Sequence, residues 1–376
     1  MKADDGDGED GADDGKETAR PFGQRDQSIL EHESNVPHRP DPALVAAAVA
    51  GRWPPAPVGD DPEGADRRGG NLGVMEHNEH ASPASPAEVT ARHDAIRTRI
   101  DDAARAAGRD PSEIRLLPVS KTVPAEAVLA DWPALREAGC LTLAENRVQE
   151  ASAKAEFFAN AAKSAEAGAA GAGADGSSSA IAAITPLPRW AVIGPLQTNK
   201  AGQLAAFADE FQALDRPKVA AALQRRLADA AVPAAAPVST SYSSAEHSPG
   251  VTGRTLDVLI QVNTSHEPQK AGIAPEDVEA FVADFGPDGP YPNLRLRGFM
   301  TMAMIADPSS PDGDEDVRRC FATLRELRDR LAPDAPDGVT LDELSMGMSG
   351  DFELAIAEGA TTVRVGRAIF GERPKV

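Results

Sequence analysis

The run Leu116-Leu117-Pro118-Val119-Ser120-Lys121-Thr122 ends a short apolar segment on a lysine, and a helix-forming segment follows. Most lysines at strand ends simply extend the ammonium to water. A lysine kept at the buried end of a strand must be paired or lose its proton. With a depressed pKa it attacks an aldehyde and holds it as a Schiff base. The same strand-then-helix unit recurs along the chain. Apolar runs at 114–119, 140–143, 190–193, 211–214, 256–262, 294–300, 340–344 and 362–365 read as strands. Helical patterns occupy 125–138, 147–162, 200–208, 218–231, 275–284, 315–331 and 352–358. An opening helix at 86–107 carries Val89, Ile96 and Ile100 on one face and stops at Gly108. Eight such alternations predict an α/β protein built as a single (β/α)8 TIM barrel. An open doubly wound sheet is the alternative, and no GxGxxG turn supports it.

The 376 residues carry a formal net charge of -21, which argues against a nucleic-acid partner, since that needs a basic face. The two cysteines, Cys140 and Cys320, lie far apart with no histidine near either in sequence. They exclude a disulfide framework, offer no metal-ligand spacing, and read as small buried apolar residues in a reducing compartment. No apolar run is long enough to cross a bilayer, and the N-terminus is acidic rather than basic-then-apolar. The expectation is a cytoplasmic protein with no membrane association.

Residues 1–84 read as a disordered extension, with Asp4, Asp5, Asp7, Glu9, Asp10, Asp13 and Asp14 interleaved with glycine. Such a segment buries too little apolar surface to offset its ordering entropy. Met75, just before the first periodic segment, is a candidate start. Ala/Gly/Ser-rich and Ala/Pro/Ser-rich stretches at about 165–185 and 232–253 read as flexible insertions in a barrel domain spanning 85–376. Without the extension and insertions roughly 250 residues remain, the usual size of one such barrel.

In this fold the working residues sit at the C-terminal ends of strands. Lys121 ends the first, and Glu145 and Asn146 the second. Gly194, Gln197, Asn199 and Lys200 follow the third, and Asp215 and Arg216 the fourth. Asn263, Thr264 and Ser265 follow the fifth, and Met300 and Thr301 close the sixth. The segment Ser345-Met346-Gly347-Met348-Ser349-Gly350-Asp351 follows the seventh and opens a helix, and Val363-Arg364-Val365-Gly366-Arg367 ends the eighth. Glycine backbone, a serine hydroxyl and a helix start together suit a phosphate. Arg364 alternates with Val363 and Val365, so it points into the barrel if those valines face the helices. A buried arginine needs an acceptor, which could be a carboxylate or a pyridine nitrogen. Lysine for an aldehyde, serine and glycines for a phosphate, and arginine for a ring nitrogen are the handles that pyridoxal 5'-phosphate requires.

The chain resembles the pyridoxal-phosphate homeostasis protein family, whose fold is that of the alanine racemase N-terminal barrel. The segments that carry the resemblance are LLPVSKT, LAENRVQE, RWAVIGPLQTNK, DRPKVAAAL, VLIQVNTSHEPQKAGI, LRGFMTM and LSMGMSGDFELAIAEGATTVRVGRAIFG. Together they span 86–373 apart from the insertions. The resemblance implies that Lys121 carries pyridoxal 5'-phosphate as a Schiff base and that Asn146 lies beside the ring. It implies that Ser349, Gly350, Gly366 and the backbone of Arg367 hold the phosphate, and that Arg364 meets the ring nitrogen. The family commonly has histidine where Ala191 stands and serine or threonine where Arg367 stands.

The implied role is non-catalytic: holding the cofactor reversibly and passing it to apo forms of pyridoxal-phosphate enzymes, as a monomer or weak dimer. A weak racemase-like enzyme is the alternative. Two-base racemisation needs an acid/base opposite the lysine, which alanine racemase takes from a tyrosine of a second domain. The two tyrosines here, Tyr242 in an insertion and Tyr291 before the sixth strand, are poor candidates, and the chain ends just past the barrel. An arginine at the ring nitrogen also weakens the ring as an electron sink, which does not by itself exclude racemisation, since alanine racemase uses the same partner. A cofactor-free Schiff-base lyase is a third, less favoured reading. No catalytic residue and no metal site is expected.

Overall fold

The structure, a computed structural model, describes residues 84–171, 182, 184–230, 252–267, 270–305 and 312–371. The expected N-terminal extension up to residue 83, Met75, Tyr242 and most of both expected insertions lie outside the described residues. Helix α1 (Pro86–Ala106) leads in. Ser85 caps it reciprocally: the Glu88 N–H donates to Ser85 Oγ at 3.4 Å, and the Ser85 N–H donates to the Glu88 carboxylate at 2.8 Å. Its buried stripe is Val89, His93, Ile96, Ile100 and Ala104, the i, i+3, i+4 rhythm of a helix lying on a core.

Eight strands follow: β1 (Arg115–Pro118), β2 (Thr142–Glu145), β3 (Arg189–Val192), β4 (Glu210–Leu214), β5 (Leu256–Gln261), β6 (Leu294–Met300), β7 (Glu343–Ser345) and β8 (Thr362–Val365). Helices α2 (Ala125–Glu137), α3 (Val148–Gly171), α4 (Ala201–Phe207), α5 (Pro217–Ala228), α6 (Val278–Val282), α7 (Gly313–Leu331), α8 (Phe352–Ala357) and α9 (Arg367–Phe370) alternate with them. All ladders are parallel, in the order β1-β8-β7-β6-β5-β4-β3-β2. The β1–β2 seam is narrower: one bridge joins Val119 to Ala144, and the Ser120 N–H donates to the Ala144 carbonyl at 2.9 Å. The result is a nearly closed eight-stranded barrel, as the repeated strand–helix alternation predicts.

Boundaries differ in three informative places. β2 begins at Thr142 rather than residue 140, because the Cys140 N–H turns back to Leu135 O and closes the end of α2. β7 occupies 343–345 rather than 340–344. α3 runs to Gly171, into the stretch expected as an insertion, because its alanines are the best helix formers and outweigh the glycines.

The sheet has two unlike faces. Leu143, Trp190, Phe211, Val258, Phe299, Leu344 and Val363 belong to one large apolar core shared with the helices. Trp190 meets Phe158 of α3 edge-to-face at 5.7 Å between ring centroids. A small separate cluster of Leu117, Val119, Ala144 and Ala191 sits on the other face, inside the barrel. Below it, at the N-terminal end, the interior is ionic. Arg115 grips Glu210 through two bonds of 2.8 and 2.9 Å and lies 3.5 Å from Glu343. Asp257 pairs with Arg189 at 3.4 Å and Arg295 at 2.8 Å. Both cysteines are buried free thiols, as expected.

Burial alone would raise the Glu210 carboxyl, but the charge and hydrogen bonds of Arg115, with Arg189 and Gln212, outweigh it and hold the group at about 2. A carboxyl depressed in the fold contributes stability above its unfolded pKa and loses it as pH falls toward the folded value. Glu210→Gln should therefore cost about 3 kcal/mol at neutral pH. The gap between parent and variant, followed by denaturant unfolding, should narrow as pH drops from 4.5 toward 2. A gap that stays constant across that range would contradict the pairing.

Candidate functional site at the barrel mouth

β1 places its side chains alternately in and out. Arg115 meets Glu210 inside, and Leu117 and Val119 join the inner cluster. The alternation carries Lys121 to the same inner side at the mouth, where it is half-buried. The next residue, Thr122, has φ 68°, a left-handed backbone that β-branched residues rarely adopt, and its hydroxyl donates to Lys121 O at 2.5 Å. The chain thus turns sharply just past the lysine.

Asn146 follows β2 and is exposed at the mouth. Gly194, after β3, passes so close that a Cβ there would lie 2.0 Å from Asn146 O and 2.6 Å from its Oδ1. Only glycine permits that approach. Glu145, grouped by sequence with the rim residues, turns away instead and is wholly buried on the helix side.

Arg364 lies inside the barrel, 4 % exposed, as its alternation with two valines predicts. Its Nη1 donates to Ser345 Oγ at 2.9 Å and its Nη2 to the Thr301 carbonyl at 2.8 Å. Ser345 Oγ in turn donates to Gln212 Oε1 at 2.8 Å. These bonds engage two of five guanidinium N–H groups with neutral acceptors. No carboxylate forms an ion pair with Arg364 among the described residues, so the carboxylate alternative is not realised there. Burial lowers its pKa to about 10, opposed by the charge of Asp351, and the group stays cationic at neutral pH.

The loop after β7 is tied to β8 by the Arg364 N–H, which donates to Gly347 O at 3.0 Å. Gly347, at φ 91°, packs against α8, where a Cβ would come 2.7 Å from Ala355 Cβ. Asp351 Oδ1 accepts from the Met348 N–H at 2.5 Å, and Met348 O accepts from the Asp351 and Phe352 N–H groups. The N–H groups of Ser349, Gly350, Gly366 and Arg367 have no acceptor among the described residues. Four donors without acceptors, on two adjacent loops above a buried cation, fit a phosphate with an attached ring. A Cβ at Gly350 would meet nothing, and one at Gly366 would sit 3.0 Å from Val119 O.

All seven residues singled out by sequence (Lys121, Asn146, Ser349, Gly350, Arg364, Gly366 and Arg367) therefore belong to one arc. They lie on, or just beyond, β7, β8, β1 and β2, four consecutive staves of the barrel. Among the other rim candidates, several side chains are engaged with one another or with loop carbonyls. Arg216 pairs with Asp215 and donates to Leu196 O at 3.0 Å, while Thr264 and Thr301 share a hydrogen bond of 2.9 Å. Tyr291 packs against Phe281 and Phe285, with its hydroxyl 3.5 Å from Pro217 O. Sequence reading missed Gln212, Ser345 and the Thr301 carbonyl as the support of Arg364. It also missed the 3.4 Å contact of Cys140 Sγ with His93 Nε2, which pairs residues 47 apart. Among the described residues no group of three or more His, Cys, Asp or Glu is placed to hold a metal ion.

Comparison with known proteins agrees with this architecture. The family model for the alanine racemase N-terminal domain matches residues 92–374. The pyridoxal phosphate homeostasis protein of Pseudomonas aeruginosa is 37 % identical over 278 residues, 74 % of this chain and 93 % of the relative. That of Escherichia coli is 34 % identical over 278 residues, 74 % of this chain and 94 % of the relative. Among solved structures, a protein from Bifidobacterium adolescentis described as unknown superimposes with a TM-score of 0.56 at 30 % identity, covering 79 % of this chain and 98 % of its own. PipY of Synechococcus elongatus, solved with PLP bound, superimposes with a TM-score of 0.50 at 26 % identity, covering 75 % of this chain and all of PipY. A barrel of this topology, matched over nearly the full length of such relatives, belongs to the pyridoxal phosphate homeostasis protein family, on the alanine racemase N-terminal fold.

Proposed function

We propose that this chain binds pyridoxal 5'-phosphate reversibly at the barrel mouth and serves cofactor homeostasis rather than substrate turnover. The observation that carries this reading is the set of four backbone N–H groups without acceptors, among the described residues, beside a buried Arg364 that makes no ion pair with a carboxylate. Bound there, the cofactor supplies an aldehyde that a lysine amine can condense with. Lys121 provides that amine. Ser349, Gly350, Gly366 and the Arg367 backbone hold the phosphate, with the exposed Arg367 guanidinium adding charge where the family commonly has a hydroxyl. Asn146 flanks the ring. Arg364 donates to the ring nitrogen and so disfavours its protonation.

A ring kept neutral at that nitrogen is a poor sink for a carbanion, which favours a holding role. Tyr291, tied into an aromatic cluster, offers no second acid/base at the mouth. No described helix is long and apolar enough to cross a membrane. We place the protein in the cytoplasm, as a monomer or weak dimer, with apo forms of pyridoxal-phosphate enzymes as recipients. The domain at 85–376 is the part that binds.

Added pyridoxal 5'-phosphate should give a visible absorption band in the parent that is absent from Lys121→Ala. No amino acid should exchange its α-proton for deuterium in the loaded protein; steady exchange would favour the racemase-like alternative. No band in the parent would sink the proposal. Arg364→Met should weaken cofactor binding by ~10-fold or more, about 1.4 kcal/mol. It should leave thermal stability within about 1 kcal/mol of the parent, because it removes a buried charge along with its bonds. Unchanged affinity in that variant would remove Arg364 from the site.

A further inference from the structure

Behind Lys121, on the helix side of the barrel, lies a buried polar cluster that the binding site does not use. Lys154 of α3 donates from Nζ to the Ser120 carbonyl at 2.7 Å and to Glu145 Oε1. The Ser120 hydroxyl donates to the same Glu145 oxygen at 2.8 Å. The side chains of Lys154 and Glu145 are 8 % and 0 % exposed, and Glu145 Oε2 is buried with no partner among the described residues.

An ion pair this buried is a weak source of stability, since well-packed apolar residues of equal volume often do as well or better. Its position explains it better than its energy. With the Ser120 N–H donating to Ala144 O, every polar atom of Ser120 is engaged. The carbonyl that Lys154 grips belongs to the peptide leading directly into Lys121. On the far side of the lysine, Thr122 is held in a left-handed turn. Lys121 therefore stands between two fixed residues, and the inward aim of its side chain follows from the outward anchoring of Ser120.

We propose that Glu145 and Lys154 are positioning residues for Lys121: from outside the barrel they lock the Ser120 peptide, so that the Lys121 amine is held on target for the cofactor aldehyde. This rests on the reading of Lys121 as the cofactor-bearing residue. Errors of about 1 Å in such placement are enough to cost covalent attachment heavily while leaving other contacts intact.

The test separates attachment from plain binding. Parent, Lys121→Ala, Ser120→Ala and the double variant Lys154→Met/Glu145→Gln, which leaves no unpaired buried charge, are each titrated with two ligands. One is pyridoxal 5'-phosphate. The other is pyridoxine 5'-phosphate, which keeps the ring and phosphate but carries a hydroxymethyl group in place of the aldehyde. In the double variant the aldehyde ligand should bind about tenfold more weakly, and the fraction trapped by borohydride should fall with it. Pyridoxine phosphate should bind within about twofold of the parent. Ser120→Ala should show the same split at about threefold, and carries the test if the double variant does not fold. Equal losses for both ligands would mean a purely structural role, and no loss for either would mean no role; both results overturn the inference. If parent and Lys121→Ala hold the aldehyde ligand equally, the reading of Lys121 itself fails, and this inference with it.

Discussion

A closed set of parallel strands has a single interior, and each strand supplies it with every second side chain. In β1 that rule makes one inner column of Arg115, Leu117, Val119 and the residue position that Lys121 fills. The column is pinned at its foot, where Arg115 bonds Glu210 of β4 and lies near Glu343 of β7 across the barrel. A slip of one residue would send Arg115 into the helix layer and carry the lysine out of the mouth. The ionic floor is far from the site, yet it sets which face Lys121 occupies.

The mouth completes the same geometry. β8 is the neighbour of β1, and its inward Arg364 is buried, cationic and bonded only to neutral oxygens. Leaving such a group without a carboxylate is costly unless a polar partner can reach it. The loops beyond β7 and β8 add backbone donors without acceptors, and the nearby Asp351 carboxylate is itself occupied by the Met348 N–H. Burial raises the Asp351 carboxyl, opposed by the Met348 N–H and the charge of Arg364. Together these features gather a buried cation and backbone donors at one mouth, where the cofactor seat is proposed.

Much of this was legible in sequence because it is periodic or chemically unusual. The eight apolar runs gave the barrel, and Arg364 flanked by two valines gave an inward arginine. The glycine- and serine-bearing loops marked the stretch where backbone N–H groups stand without acceptors among the described residues. What escaped depends on contacts distant in sequence. Glu145 looked like a rim residue because it ends a strand, and only the approach of Lys154 from α3 shows that it faces outward. The extra turns of α3 were hidden because alanine-rich composition suits both linker and helix. The ionic floor could have been read from the charged residue that opens β3, β4 and β7, and that lies second in β5, each just before an outward apolar one. The pairing of His93 with Cys140 has no local signal at all.

The proposed function turns on Lys121, and no other lysine, forming the covalent link to the cofactor. Mass spectrometry of the protein digested after incubation with pyridoxal 5'-phosphate and borohydride tests it directly. A single stoichiometric pyridoxyl-phosphate adduct is expected on the peptide containing Lys121, with Lys154, Lys200 and Lys270 unmodified. An adduct spread over several surface lysines, or concentrated on any of the others, would contradict it.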